Sequence, residues 1–333
     1  IGDDCIMKIN SLTGPIDTRD LGYTLMHEHI LIANHTMRKV CPDWLNRQQF
    51  VEYAVKYIKR AKAHGVKTIV DMTTFQLGRD VDIMKEVAEK AEIQVIACTG
   101  FHWFEELCLM DKSVDYMAEI LINDIEKGME GTDIKASVIK ACTDKFGINE
   151  YNSRLLKASA IAQKATGVPI STHACGSLGY DQTLFFEQEG IDMHKLIIGH
   201  VGDTDDLDFL KKIARKGCYL GLDRFGVDTR HPEMLSLEKR INTTLSLCED
   251  GFIKSLVLSH DASCLIDYWE GQSNLRSPWE LTYKTNLDEF KFQFDYISRF
   301  VLPELKNGGM TDDQINEMLI ETPRRIFESY KKQ

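Results

Sequence analysis

Eight short apolar runs recur along the chain, each followed by a longer stretch of helical period, and this alternation constrains the fold more than any other feature. It is the pattern of βα units with parallel strands. The runs are Thr24–Leu31, Val66–Met72, Gln94–Thr99, Ala136–Cys142, Val168–His173, Lys195–His200, Cys218–Leu222 and Ser255–His260. Helical stretches end where glycine permits a left-handed turn: Asn46–His64 before Gly65, Asn149–Thr166 before Gly167, and Asp206–Lys216 before Gly217. Near-continuous apolar strands such as Leu196–His200 and Ser255–His260 fit a sheet buried on both faces, in a closed barrel or a doubly wound sheet. A (β/α)8 TIM barrel forming a single domain over 1–333 is the expectation, because no linker or low-complexity tract interrupts the rhythm. Two segments depart from it, Phe225–Arg240 and Ala262–Leu287; the second carries Tyr268, Trp269, Trp279 and Tyr283 and is expected to form a substrate lid.

A net charge of -11 repels phosphate backbones and anionic lipid, so nucleic-acid and membrane-surface roles are disfavoured. No apolar run approaches the ~20 residues that span a bilayer. Nine cysteines in a chain of this length do not read as a disulfide framework, and Cys98, Cys142 and Cys218 lie within apolar runs as small hydrophobes. Because Ile1–Asn10 also lacks the order of a signal peptide, a cytoplasmic location is the expectation. The GSLG of Gly176–Gly179 lacks the spacing of a nucleotide loop, so no organic cofactor is expected.

The strongest chemical signal is His27-Glu28-His29. Residues two apart on a strand share a face, so the two imidazoles can bind one metal ion. Alone, such a triplet is common. Its weight comes from His173 and His200 at the ends of the fifth and sixth strands and from Asp261 after the eighth. Imidazole and carboxylate suit divalent metals, and in a barrel all of these would project from the C-terminal rim, where barrel enzymes place their active sites. Lys140 interrupts an otherwise apolar fourth strand, where an ammonium is costly to bury unless paired or chemically changed. A neutral amine there could add carbon dioxide and become a carbamate whose two oxygens bridge two cations. His35, His64, His194 and His231 have no such company and read as surface or capping residues, and His260 as a structural neighbour of Asp261.

TLMHEH (Thr24–His29), the IK of the fourth strand, STHACG (Ser171–Gly176), IGHVGDTDDLDFL (Ile198–Leu210), GLDRFG (Gly221–Gly226) and LSHDAS (Leu258–Ser263) occur in this order. In these motifs the chain resembles the phosphotriesterase family of the amidohydrolase superfamily, its lactonase branch above all, from GPIDTRDLGYTLMHEH to ETPRRIF. The resemblance implies a dinuclear hydrolase. His27, His29 and Asp261 would hold the more buried of two divalent metal ions and His173 and His200 the more exposed, with carboxylated Lys140 bridging them. Zinc is the first expectation, with cobalt, manganese and iron also compatible. It further implies a metal-bridging hydroxide as nucleophile, Asp261 as proton acceptor, and Asp203 passing the proton outward. Arg224 matches the lactonase branch and implies a substrate contact with lactones, N-acyl-homoserine lactones among them, with phosphotriesters as side substrates and a homodimer as the assembly. One departure stands out. His102, in TGFHWF, occupies the place where lactonases carry a tyrosine, and it is expected to bind substrate by a hydrogen bond. Another ester, amide or organophosphate substrate, or a barrel that has kept the fold for a binding role alone, are the competing readings.

Overall fold

A computed structural model describes residues 7–143, 145–268 and 293–328. All eight expected strands are present: β3 (Thr24–Ile32), β4 (Thr68–Asp71), β5 (Gln94–Phe101), β6 (Val138–Cys142), β7 (Ile170–His173), β8 (Leu196–Ile198), β9 (Tyr219–Leu222) and β10 (Leu256–Leu258). They pair in parallel, each with its sequence neighbour. Two elements were not legible in the sequence. A hairpin of β1 (Lys8–Ser11) and β2 (Gly14–Asp17) precedes the barrel, its four-residue strands too short and too exposed to show a period. The second is β11 (Ser263–Ile266), which lies inside the segment read as a loop and pairs in parallel with β3, Ser263 opposite His29.

The ring closes where the chain runs from β10 into β11. Asp261 N donates to His27 O at 3.0 Å, His29 N donates to Ala262 O at 2.9 Å, and His27 N donates to Ser259 Oγ at 2.9 Å. The result is a TIM barrel with helices between successive strands. The expected left-handed glycines are in place, with φ of 99° at Gly65, 74° at Gly167 and 90° at Gly217, and at the other helix ends Asn46, Asn149 and Asp206 each accept the backbone N–H three residues on.

Strand alternation sorts the apolar side chains into two cores. Leu25, Ile69, Val95, Ile139, Leu196, Leu220 and Leu256 point outward against the helices. Met26, Val70, Ile96, Val138, Ile197, Tyr219 and Val257 fill the barrel interior. Ile326 and Phe327, from the helix Thr322–Glu328 that contains the TPRRIF ending, close its floor. Among the described residues no helix is long and apolar enough to cross a membrane.

Candidate metal centre

Two local features aim the histidines of β3. The register of β3 against β4 shifts between Leu25 and Glu28, which resets the alternation after the inward Met26. His27 and His29 consequently face the barrel axis. Glu28 faces the other way and binds the closing segment, accepting from Ser259 Oγ (2.8 Å), His260 N (2.9 Å), His260 Nδ1 (2.6 Å) and Ala262 N (2.9 Å). His260 Nε2 faces Ile297 N at 3.0 Å, so this histidine joins the closing segment to the C-terminal helices, the structural role read from the sequence.

Lys140 follows the inward Val138 by two residues and therefore points to the axis, only 2% exposed. Its Nζ lies 2.5 Å from His27 Nε2 and 3.5 Å from Thr172 O. Its strand partner is Gly100, where a Cβ would sit 2.0 Å from Lys140 O; the two strands approach this closely because position 100 has no side chain.

Asp223, buried at the end of β9, organises the two sides of the centre. Oδ2 takes His27 Nδ1 at 3.0 Å, while Oδ1 takes both the backbone N and Nδ1 of His200 at 2.9 Å. A Cβ on Gly221 would stand 2.6 Å from Asp223 Oδ2, so the glycine before it makes room for the carboxylate. With Nδ1–H committed to Asp223, the Nε2 of His27 and of His200 carry lone pairs. His200 Nε2 faces His173 Nδ1 at 2.9 Å, and His29, whose Nδ1 bonds Thr73 Oγ1 at 2.9 Å, brings Nε2 to 3.2 Å from Asp261 Oδ1. Burial, with Lys140 adding to it, pushes His27 down to about 3. Burial likewise holds His173 and His102 well below the usual imidazole value. Burial would raise Asp261, yet His200 and Arg224 beside it hold it well below the carboxylate range. Imidazole nitrogens and an ionised carboxylate thus converge, which is the donor chemistry a divalent cation requires. The groups His27–His29–Asp261 and His27–His200–Asp223 each have ligand atoms within 4.8 Å of one another.

A cavity of about 370 Å³ opens over this cluster, lined in part by His29, His102, His173, Arg224 and Asp261. All the expected site residues are therefore at one end of the barrel, with Asp203 behind Arg224. Arg224 does not pair with its neighbour Asp223; Nε donates to Asp261 Oδ2 at 2.9 Å and Nη1 to Asp203 Oδ2 at 2.8 Å. His102 N donates to Gln76 Oε1 at 2.6 Å, and its buried Nδ1 has no hydrogen-bond partner among the described residues. Of the segment after β9, Val227, Arg230, His231, Glu233 and Met234 reach the cavity wall, which moves His231 from the surface role read for it to the mouth of the site. Of the expected lid residues, Tyr268 stacks on Phe104 with ring centroids 6.0 Å apart, whereas Trp269, Trp279 and Tyr283 lie outside the described residues.

Sequence reasoning missed Asp223, Thr73, Gln76 and Arg240. Only Asp223 carried a usable signal: it has the parity of the inward Tyr219 at the end of an apolar strand. The others act across loops.

A model of the Phosphotriesterase family matches residues 7–327. The chain is 37% identical to the phosphotriesterase homology protein of Mycobacterium tuberculosis over 96% of its own length and 98% of the relative's. It is 36% identical to the aryldialkylphosphatase of Saccharolobus solfataricus, covering 94% and 96%. The solved structure of the phosphotriesterase from Mycobacterium tuberculosis superposes with a TM-score of 0.84 at 35% identity, over 97% of this chain and 98% of that one. A barrel with its histidines, lysine and aspartate gathered at one rim, matched along nearly its whole length in sequence and in structure, belongs to the phosphotriesterase family of hydrolases.

Proposed function

We propose that the protein is a dinuclear metal-dependent hydrolase that opens lactones, N-acyl-homoserine lactones among them, with phosphotriesters as side substrates. The observation that carries this reading is the convergence of His27, His29, Lys140, His173, His200 and Asp261 beneath one cavity whose wall sets Ile32, Leu77, Val227, Met234 and Ile266 beside Arg230, His231 and Glu233. His27, His29 and Asp261 would hold one cation, His173 and His200 the other, and Lys140, as its carbamate, would join them. Two divalent ions at such a centre supply Lewis acidity toward a carbonyl or phosphoryl oxygen and make a nucleophile from water at neutral pH.

The chain's own residues do the rest. Asp223 fixes the tautomer and orientation of His27 and His200. Asp261, kept ionised by its neighbours, is the base nearest the cavity and would take a proton as the ester is attacked. Arg224 steadies Asp261 and presents its guanidinium to the cavity, and His102, neutral and buried, faces substrate from the loop after β5. Ile32, Leu77, Val227, Met234 and Ile266 would receive an acyl chain, since they gain from losing contact with water.

Phosphotriester hydrolysis as the main activity is the second reading, favoured by the relative named aryldialkylphosphatase. Metal-loaded protein assayed on a panel of lactones beside an aryl phosphotriester separates the two. Lactone turnover far above triester turnover is the expected result. The reverse ranking would transfer the assignment to phosphotriesters, and no turnover of either with metal bound would end the lactonase reading and move the assignment to another ester or amide.

A further inference from the structure

Arg240 belongs to no motif that stands out in the sequence, yet it is the outer end of a chain of alternating charges that runs into the centre. It lies in the helix Leu237–Glu249 and is buried. Its nitrogens fan out to three acceptors: Nε to Leu235 O at 3.0 Å, Nη1 to Gly202 O at 2.7 Å, and Nη2 to Asp203 Oδ1 at 2.8 Å. The second oxygen of Asp203 receives Arg224 Nη1 at 2.8 Å, and Arg224 Nε reaches Asp261 Oδ2 at 2.9 Å. Tying two loop carbonyls together would not require a charge in so buried a place. A guanidinium that also carries a carboxylate does require one, because the ion pair offsets part of the desolvation of both partners.

We propose that Arg240 is a positioning residue for the reaction: through Asp203 it sets where Arg224 stands against Asp261 and the cavity. Asp203 has an arginine on each oxygen, so it transmits position along this ladder. Both of its oxygens are held by arginines, which is the bridging role assigned to it here. The planar fork of arginine matters at 240, because a lysine offers one nitrogen where three acceptors diverge. The kinetic part of this inference rests on the hydrolase reading above; the spectroscopic part does not.

The test compares Arg240→Met, Arg240→Lys, Arg224→Met and the double variant Arg224→Met/Arg240→Met with the parent protein. Each is assayed for kcat and KM on the best lactone of the panel, for its unfolding midpoint, and for the visible absorption of the cobalt-loaded protein without substrate. Arg240→Met should lower kcat about ten- to a hundredfold, the scale expected when a group at the reacting centre is misplaced by about an ångström, with KM little changed. Its cobalt bands should move in the same direction as those of Arg224→Met, and Arg240→Lys should fall between Arg240→Met and the parent. In the Arg224→Met background, Arg240→Met should change neither kcat nor the bands, since the ladder is already broken. A folded Arg240→Met protein with parental kcat and bands, or losses that simply multiply in the double variant, would overturn the proposal. Should Arg240→Met fail to fold, Asp203→Asn keeps the carbonyl contacts of Arg240 and must reproduce the kcat loss and the band shift; parental behaviour there overturns it equally. If the parent protein turns over nothing on the panel, the lactonase reading falls and the cobalt bands alone decide the role of Arg240.

Discussion

Asp223 holds His200 by two atoms at once: its Oδ1 accepts from both the backbone N and the ring Nδ1 of that histidine, each at 2.9 Å. His200 needs such a hold, because its φ of 62° lies in the left-handed region that a residue with a side chain seldom occupies. The same carboxylate fixes His27 through its other oxygen. One buried acid therefore sets the direction of an imidazole on each side of the candidate centre. Replacing Asp223 by alanine should weaken binding of both cations, by about 10- to 100-fold as for other partners of metal-bound histidines. Thr73→Val, which among the histidines of the centre loses a contact to His29, should affect one cation alone. Titration against a chromophoric zinc chelator measures both, and a single uniform affinity change in the two variants would contradict this division.

Lys140 is the residue whose chemistry depends most on its surroundings. Its Nζ meets His27 Nε2 at 2.5 Å in the buried interior of the barrel. Lys140→Met should keep the apolar packing of β6, lose bound metal and abolish turnover. A crystal structure grown with metal and bicarbonate should show the carbamate; density for two cations beside an unmodified amine would falsify the bridging role.

Glu28 is a stability residue between the two inward histidines of β3. It is fully buried, and its four accepted hydrogen bonds tie β3 to the segment that closes the ring. An amide in its place can present only one acceptor oxygen and brings two donors toward donors. Glu28→Gln should destabilise the fold on the order of 2–4 kcal/mol, as expected for unsatisfied buried partners of a charged group. Urea unfolding of the metal-free protein reads this without the contribution of bound cations, and an unchanged midpoint would show that the seam is held by backbone pairing alone.

At the opposite end of the barrel, Lys195 donates to Ile326 O at 2.8 Å and Phe327 O at 3.4 Å beneath the floor of the interior core. Burial pushes its pKa down from 10.5 to about 8. Between these values the unfolded chain holds a proton that the folded chain has released, so this residue makes stability rise with pH across that window and lose the gain as pH falls. Lys195→Met removes the contribution. The stability difference between parent and variant, from urea unfolding at about pH 7.5 and about pH 9.5, should grow in favour of the parent at the higher pH. A difference independent of pH would assign Lys195 to hydrogen bonding only.

The sequence by itself determined the barrel and its chemistry. Strand and helix periods are local properties, set by side-chain direction every two or 3.6 residues, so the eight βα units could be read without knowing how they pack. The residues gathered at the candidate centre were legible for the same reason: His27, His29, Lys140, His173, His200 and Asp261 all lie in or just beyond β3, β6, β7, β8 and β10, and strand ends of a parallel barrel share one rim. Tertiary structure decided what joins distant segments. The shift at Leu25–Glu28 that turns both histidines inward depends on pairing with β4, and β11 exists as a strand because β3 offers it an edge. Asp223 meets His27 across 196 positions of sequence, Arg240 meets Asp203 across 37, and Gln76 meets His102 across 26. Hydrogen bonds of that kind follow no period, since they form wherever the packed backbone leaves a buried donor facing an acceptor.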